Sequence, residues 1–151
     1  MGRLKERYWT EAAAEYSKRL SSYLLLRLFE VDDRVPAGFS DAQVLAKEAA
    51  DIKGLLLKQR ISSPLILLDI LGKQTSSEAL AQRLTNQELS GNPSLAFIIG
   101  GSLGVDASIR QLSDEQLSFG PITLPHNLAR IVLLEQLYRA TKINRNEPYH
   151  K

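Results

Sequence analysis

Cysteine is absent from this 151-residue chain. That removes thiolate metal sites, disulfide frameworks and thiol nucleophiles, excludes a zinc ribbon, and fits a reducing compartment. Histidine is scarce. His126 and His150 stand at no metal-ligand spacing, and no nucleophile elbow or Ser–His–Asp pattern accompanies them, so hydrolase and metalloenzyme readings lose their support. Long apolar runs are also missing: Leu65–Leu68 and Ile131–Leu134 fall far short of the roughly 20 residues of a membrane span. The opening MGRLKERYW is basic but lacks the apolar core and small-residue cleavage site of a secretory signal. A cytoplasmic protein with no metal and no membrane partner is expected.

What is present describes one ordinary domain over residues 1–151, with 44% hydrophobic and 24% charged residues. At this length a chain buries roughly two-thirds of the surface it exposes when unfolded, enough for a core without staples. The net charge of +2 is unevenly divided. Residues 1–23 carry +2, residues 24–125 carry −3 and residues 126–151 carry +3. Basic ends around an acidic middle are compatible with a surface that meets a phosphate backbone.

Trp9, Ala12, Ala13, Tyr16, Leu20 and Tyr23 recur at helical spacing and predict an amphipathic helix from about Thr10 to Ser22. Leu24–Val31 reads as a strand and Asp32–Phe39, with Pro36 and Gly38, as a loop. Ser40 with Gln43 is a capping box opening a helix to about Gln59. Pro64–Ile70 is apolar throughout, a strand covered on both faces. Thr75 with Glu78 predicts a second capping box and a helix through about Leu89; Ser94–Ile99 is a further buried strand. A short helix near Ala107–Leu112 and a long one from about Asn127 to Ile143 follow. This alternation predicts an α/β fold, a largely parallel sheet with helices on both faces, whose ligands bind beyond the carboxyl ends of the strands.

Two segments fall at such ends, and a third follows the short helix. Gly100 and Gly101 close one buried strand and Gly104 follows within the turn, leaving backbone N–H groups open. The spacing is neither GxGxxG nor a P-loop, which argues against a dehydrogenase; a tight turn needing positive φ explains the glycines equally. Leu68 and Asp69, followed by Gly72, end another strand, so two glycine-bearing loops should share a cleft. In Phe119-Gly120-Pro121-Ile122-Thr123-Leu124-Pro125-His126 the prolines suppress regular hydrogen bonding while apolar side chains lack a helix to pack on. Such a segment wraps or threads through something, or simply sets the start of the last helix with Pro125 in its first turn.

GRLKERYWTEAAAEYSKRL, LLDILGKQTSSEALAQRL, FIIGGSLG, ITLPHNLARIVLLEQLYRATKI and the closing EPYHK cover nearly the whole chain. In that order and spacing they resemble the SPOUT-class methyltransferases, and within them the family of ribosomal RNA large subunit methyltransferase H. The resemblance implies a C-terminal trefoil knot, a rare exception to unknotted topology. It further implies a homodimer holding S-adenosylmethionine in the knot and methylating N3 of a pseudouridine in 23S rRNA, with the assembled ribosome as the expected substrate. Carried over by position, the cofactor contacts are Leu68, Gly100, Phe119, Gly120, Pro121, Ile122, Thr123 and Leu124.

The acceptor nitrogen carries a proton that must leave, which calls for a base or nearby positive charge. His126, Arg130, Tyr149 and His150 are the candidates. Arg130 would steady an anion or bind phosphate, and Tyr149 or His150, on the basic tail, would accept the proton in the partner's pocket. A solvated helix face for Arg130 and a frayed end for the tail are the plainer alternatives. Family members usually carry a short apolar strand before the position of Gly2; here either the recorded sequence starts late or the sheet tolerates its loss. A catalytically silent RNA- or ribosome-binding protein on the same scaffold is the second reading.

Overall fold

The computed structural model describes residues 6–31 and 38–149. The segment preceding Gly2, most of the Asp32–Phe39 loop and His150 lie outside them. Helix α1 (Arg7–Leu20) begins a turn before the expected start. Helix α2 (Asp41–Lys58) opens on the Ser40–Gln43 capping box, with both reciprocal bonds formed. Strand β1 (Leu65–Gln74), helix α3 (Ser77–Leu89), strand β2 (Ala96–Ile99), helix α4 (Ala107–Leu112), strand β3 (Glu115–Ser118) and helix α5 (His126–Asn144) follow.

The sheet is parallel with strand order β2-β1-β3. Both faces of its central strand are covered, as the uninterrupted apolar run demands. Leu65, Leu67 and Ile98 pack with Ala49 and Ile52 of α2 and with Ile109 of α4. The alternate residues Leu68, Phe97 and Ile99 lie against the other layer, built from α1, α3 and α5 around Leu20, Leu80, Leu133, Leu134 and Leu137. The period-two alternation of each strand therefore separates two cores.

Three expectations are corrected, and one strand is new. Leu24–Val31 forms no strand: Leu24 and Leu26 pack on one layer and Val31 on the other, so the alternation is real, but the backbone of residues 25–31 meets no neighbouring strand among the described residues. The cap of α3 is Ser76, whose hydroxyl accepts from the Ala79 N–H at 3.1 Å, because Thr75 is still held by the sheet through its N–H to the Ser118 carbonyl. Pro125 is the N-cap of α5, its carbonyl accepting from the Ala129 N–H at 2.9 Å, one position before the first turn. Strand β3 had no apolar signal, since Glu115 and Gln116 are exposed and Leu117 and Ser118 alone are buried.

Candidate functional site

Because the three strands run parallel, their carboxyl ends open on one side, and the register fixes which residues meet there. Leu68 of β1 stands opposite Ile99 of β2 and opposite Leu117 of β3. Gly100 is therefore one residue beyond one neighbour of Leu68, and Phe119 two residues beyond the other. Leu68, Ile99 and Phe119 are all half-buried against the α1–α3–α5 core. The double glycine and the proline-bracketed segment thus flank β1 at Leu68, where its register breaks.

Each loop is shaped by a specific restriction. A Cβ on Gly100 would stand 2.8 Å from the Gly104 carbonyl oxygen and 2.8 Å from Val105 Cγ1, contacts real side chains do not make. Gly104 closes the turn on Gly101 with an N–H···O bond of 3.1 Å and has φ +82°, so the turn requires glycine twice. Beyond Leu68 the β1–β3 ladder breaks, Lys73 resuming opposite the same Leu117, so residues 69–72 are looped out. Gly72 closes this loop against β3, where a Cβ would lie 2.6 Å from the Leu117 nitrogen.

Ser118, 3% exposed, bends the next loop. Its hydroxyl oxygen accepts from the Gly120 N–H at 3.1 Å and lies 3.2 Å from the Ile70 carbonyl and 3.0 Å from the Gly120 carbonyl, its two acceptors. Gly120 itself has φ +115° with open space where a Cβ would point. Sequence reasoning missed Ser118, and its one signal, a lone polar residue between Leu117 and Phe119, is too weak to read. Past Gly120, Ile122 is 74% exposed and Pro121 and Thr123 are also exposed. Asn127, in the first turn of α5, keeps a buried Oδ1 without a hydrogen-bond partner.

Of the four candidate catalytic residues, His126, Arg130 and Tyr149 fall within the described residues; the first two lie one turn apart on α5 and Tyr149 lies beyond its far end. His126 is the first residue of α5 and is half-buried. Arg130 is buried, and its Nη1 donates to Glu30 Oε1 at 2.7 Å. Tyr149 packs edge-on against Tyr138 with ring centroids 4.9 Å apart, below the Arg139 guanidinium, and donates its hydroxyl to Glu135 Oε1 at 3.2 Å. Burial, and then the negative charge of Glu135, push the Tyr149 phenol up to about 12. Tyr138 lies more than three turns further along α5 than His126, about 18 Å at the standard helical rise.

A broad groove runs between the end of α1 and residues 22–28. Among its hydroxyls Ser17 donates to the Ala13 carbonyl, Ser21 to the Lys18 carbonyl and Tyr23 to Glu147. Among the described residues no three His, Asp or Glu gather as metal ligands, and no helix is long and apolar enough to cross a membrane.

Comparison with known proteins decides the family. The family described as "Predicted SPOUT methyltransferase" matches residues 1–150. The chain belongs to the SPOUT methyltransferases. Among curated relatives, a ribosomal RNA large subunit methyltransferase H of Carboxydothermus hydrogenoformans is 47% identical over 152 residues, and one of Ruminiclostridium cellulolyticum is 45% identical over 152 residues. A third, from Bacillus cytotoxicus, bears the same name at 45% identity. Each alignment covers 100% of this chain and 96% of the relative. The parallel α/β sheet matches the expectation for a SPOUT methyltransferase.

Proposed function

We propose that this SPOUT methyltransferase transfers a methyl group from S-adenosylmethionine to ribosomal RNA, with N3 of a pseudouridine in 23S rRNA as the acceptor. The observation that carries the reading is the meeting of Gly100 and the Phe119–Leu124 segment on either side of Leu68. We infer that residues 119–125 are part of the trefoil knot this family implies. The relatives' names supply the rRNA substrate class.

The residues fit the cofactor. Leu68, Phe119 and Ile122 offer apolar surface to an adenine ring, Gly100 and Gly120 let backbone approach it, and the orphaned Asn127 Oδ1 awaits a donor. Bound there, S-adenosylmethionine supplies an electrophilic methyl whose sulfur departs neutral. Transfer forms a bond from the base nitrogen to the methyl carbon as the carbon–sulfur bond breaks, and the nitrogen's proton leaves. Apolar walls exclude water while the loops align the donor with the acceptor.

Proton removal falls to His150 rather than to Tyr149. A phenol raised to about 12 stays protonated at neutral pH and acts as a donor. The imidazole of His150, the other candidate on the tail, is left as the acceptor. With Tyr149 packed against Tyr138, the tail serves the pocket of a partner copy, which accounts for a homodimer. The cytoplasm, where ribosomes lie, is the proposed compartment.

The test incubates the full chain with labelled S-adenosylmethionine and ribosomes from a strain lacking the modification. Label in 23S rRNA at N3 of a pseudouridine supports the reading. Cofactor binding without label identifies a silent rRNA-binding relative, and absence of cofactor binding by a folded protein rejects the pocket.

A further inference from the structure

The looped-out stretch of β1 and the turn after β2 are joined by one charged pair. The Asp69 side chain is 6% exposed. Its Oδ1 accepts from the Leu71 N–H at 3.0 Å, turning the looped-out segment back on itself, and its Oδ2 accepts from Arg110 Nε at 2.7 Å. Arg110 reaches from α4, which is anchored by the fully buried Ile109. Arg110 Nη1 also donates to the Val105 carbonyl at 3.0 Å. Its Nη2 lies 3.8 Å from where a Cβ of Gly104 would stand, the glycine whose carbonyl crowds Gly100.

One guanidinium therefore grips a carboxylate adjoining Leu68 and the backbone adjoining the glycine turn. With Asp69 buried and Arg110 38% exposed, such a half-buried pair adds little net stability over apolar residues of the same shape, so its value here is geometric. Burial raises the Asp69 carboxyl, but the Leu71 amide and the Arg110 guanidinium outweigh it and hold the group below its ordinary range, so it is ionised at neutral pH.

We propose that Asp69 and Arg110 form a positioning brace that sets the separation of the looped-out stretch of β1 from the glycine turn after β2, and so the width of the cofactor cleft. The inference rests on the cleft assigned under Proposed function. Neither side chain touches the reacting atoms. The brace governs how tightly the donor is held, leaving the acceptor step to other residues.

The experiment uses the full chain as D69N, R110M, the D69N/R110M double variant and R110K. S-adenosylmethionine affinity is read by titration calorimetry, folding by circular dichroism and melting, and turnover at saturating cofactor separately. D69N and R110M each weaken cofactor binding about tenfold or more, with turnover at saturation changed less than about threefold. The double variant is no weaker than the worse single, because both remove one interaction. R110K, which keeps a charge for Asp69, recovers most of the affinity.

Wild-type affinity in folded D69N and R110M overturns the brace, as do additive losses in the double variant. If the single variants fail to fold, D69E replaces them: it keeps both charges and shifts the carboxylate by one methylene. Weakened cofactor binding at unaltered melting then supports the brace, and unaltered binding overturns it. Failure of the folded wild-type protein to bind cofactor overturns the pocket and the brace together, whereas binding by wild type with indifferent variants overturns the brace alone.

Discussion

Arg130 and Glu30 are one hundred residues apart in sequence and 2.7 Å apart in the fold. The pair ties the unladdered 25–31 segment to α5, and it changes what can be asked of Arg130. Removing the carboxylate leaves a buried guanidinium with one fewer partner. Because Glu30 is partly solvated, E30Q should cost about 1–2 kcal/mol in urea unfolding and speed amide exchange of residues 25–31. R130M should lose a similar amount of stability if Arg130 is an anchor. An rRNA methylation defect in R130M well beyond that of E30Q, measured at equal folded fraction, assigns it a role toward RNA.

Gly100 admits no side chain. In G100V the Cβ must displace the Gly104 carbonyl, 2.8 Å away, so the turn after β2 moves. Cofactor affinity should fall at least about tenfold with a melting decrease that leaves the sheet folded at 25 °C. Calorimetric titration showing wild-type affinity removes Gly100 from the pocket.

Tyr149 titrates late, and the sign of its effect follows. The neutral phenol is favoured in the fold, so its contribution is intact below the unfolded value of 10.0 and is lost as pH rises towards about 12. Stability followed by denaturant between those limits should fall with pH, and Y149F should flatten that decline. At neutral pH Y149F should leave the proton-transfer step in place, its activity retained to within about tenfold.

The tail has a second anchor. Tyr23 donates its hydroxyl to Glu147 Oε2 at 2.6 Å, and Lys142 pairs with the same oxygen. The bond to Lys142, then that to Tyr23, holds the Glu147 carboxyl below its ordinary 4.5. The sign is opposite to that of Tyr149: the contact is intact above 4.5 and is lost as pH falls below it. E147Q should reproduce at neutral pH the loosening that acid produces in the parent, seen as faster carboxypeptidase trimming of the last residues. Equal trimming rates would release the tail from this anchor.

The frame was legible because parallel strands with two covered faces are written as unbroken apolar runs, as in Leu65–Leu68. The Ser40–Gln43 box was equally plain, since both halves of the motif lie within four residues. β3 was not, because an edge strand with exposed Glu115 and Gln116 carries no apolar pattern. Leu24–Val31 misled for the opposite reason, having the alternation of a strand without a neighbour to bond. At the site, Gly100 was readable as a strand end, whereas Leu68 lies inside β1 at its register break and Phe119 follows the unread β3. The links among them, Asp69 to Arg110 and Ser118 to Ile70, were hidden because charge and hydroxyl pairing across 40 residues or more leaves no local trace.

The break in the β1 ladder divides four looped-out residues into fixed and adjustable ones. Asp69 is tethered and Gly72 is wedged against β3, which leaves Ile70 and Leu71, the latter 82% exposed, as two interchangeable fittings on a rigid mount. The side chains at those two positions are open to exchange while the hydrogen-bonded frame beneath them stays as it is.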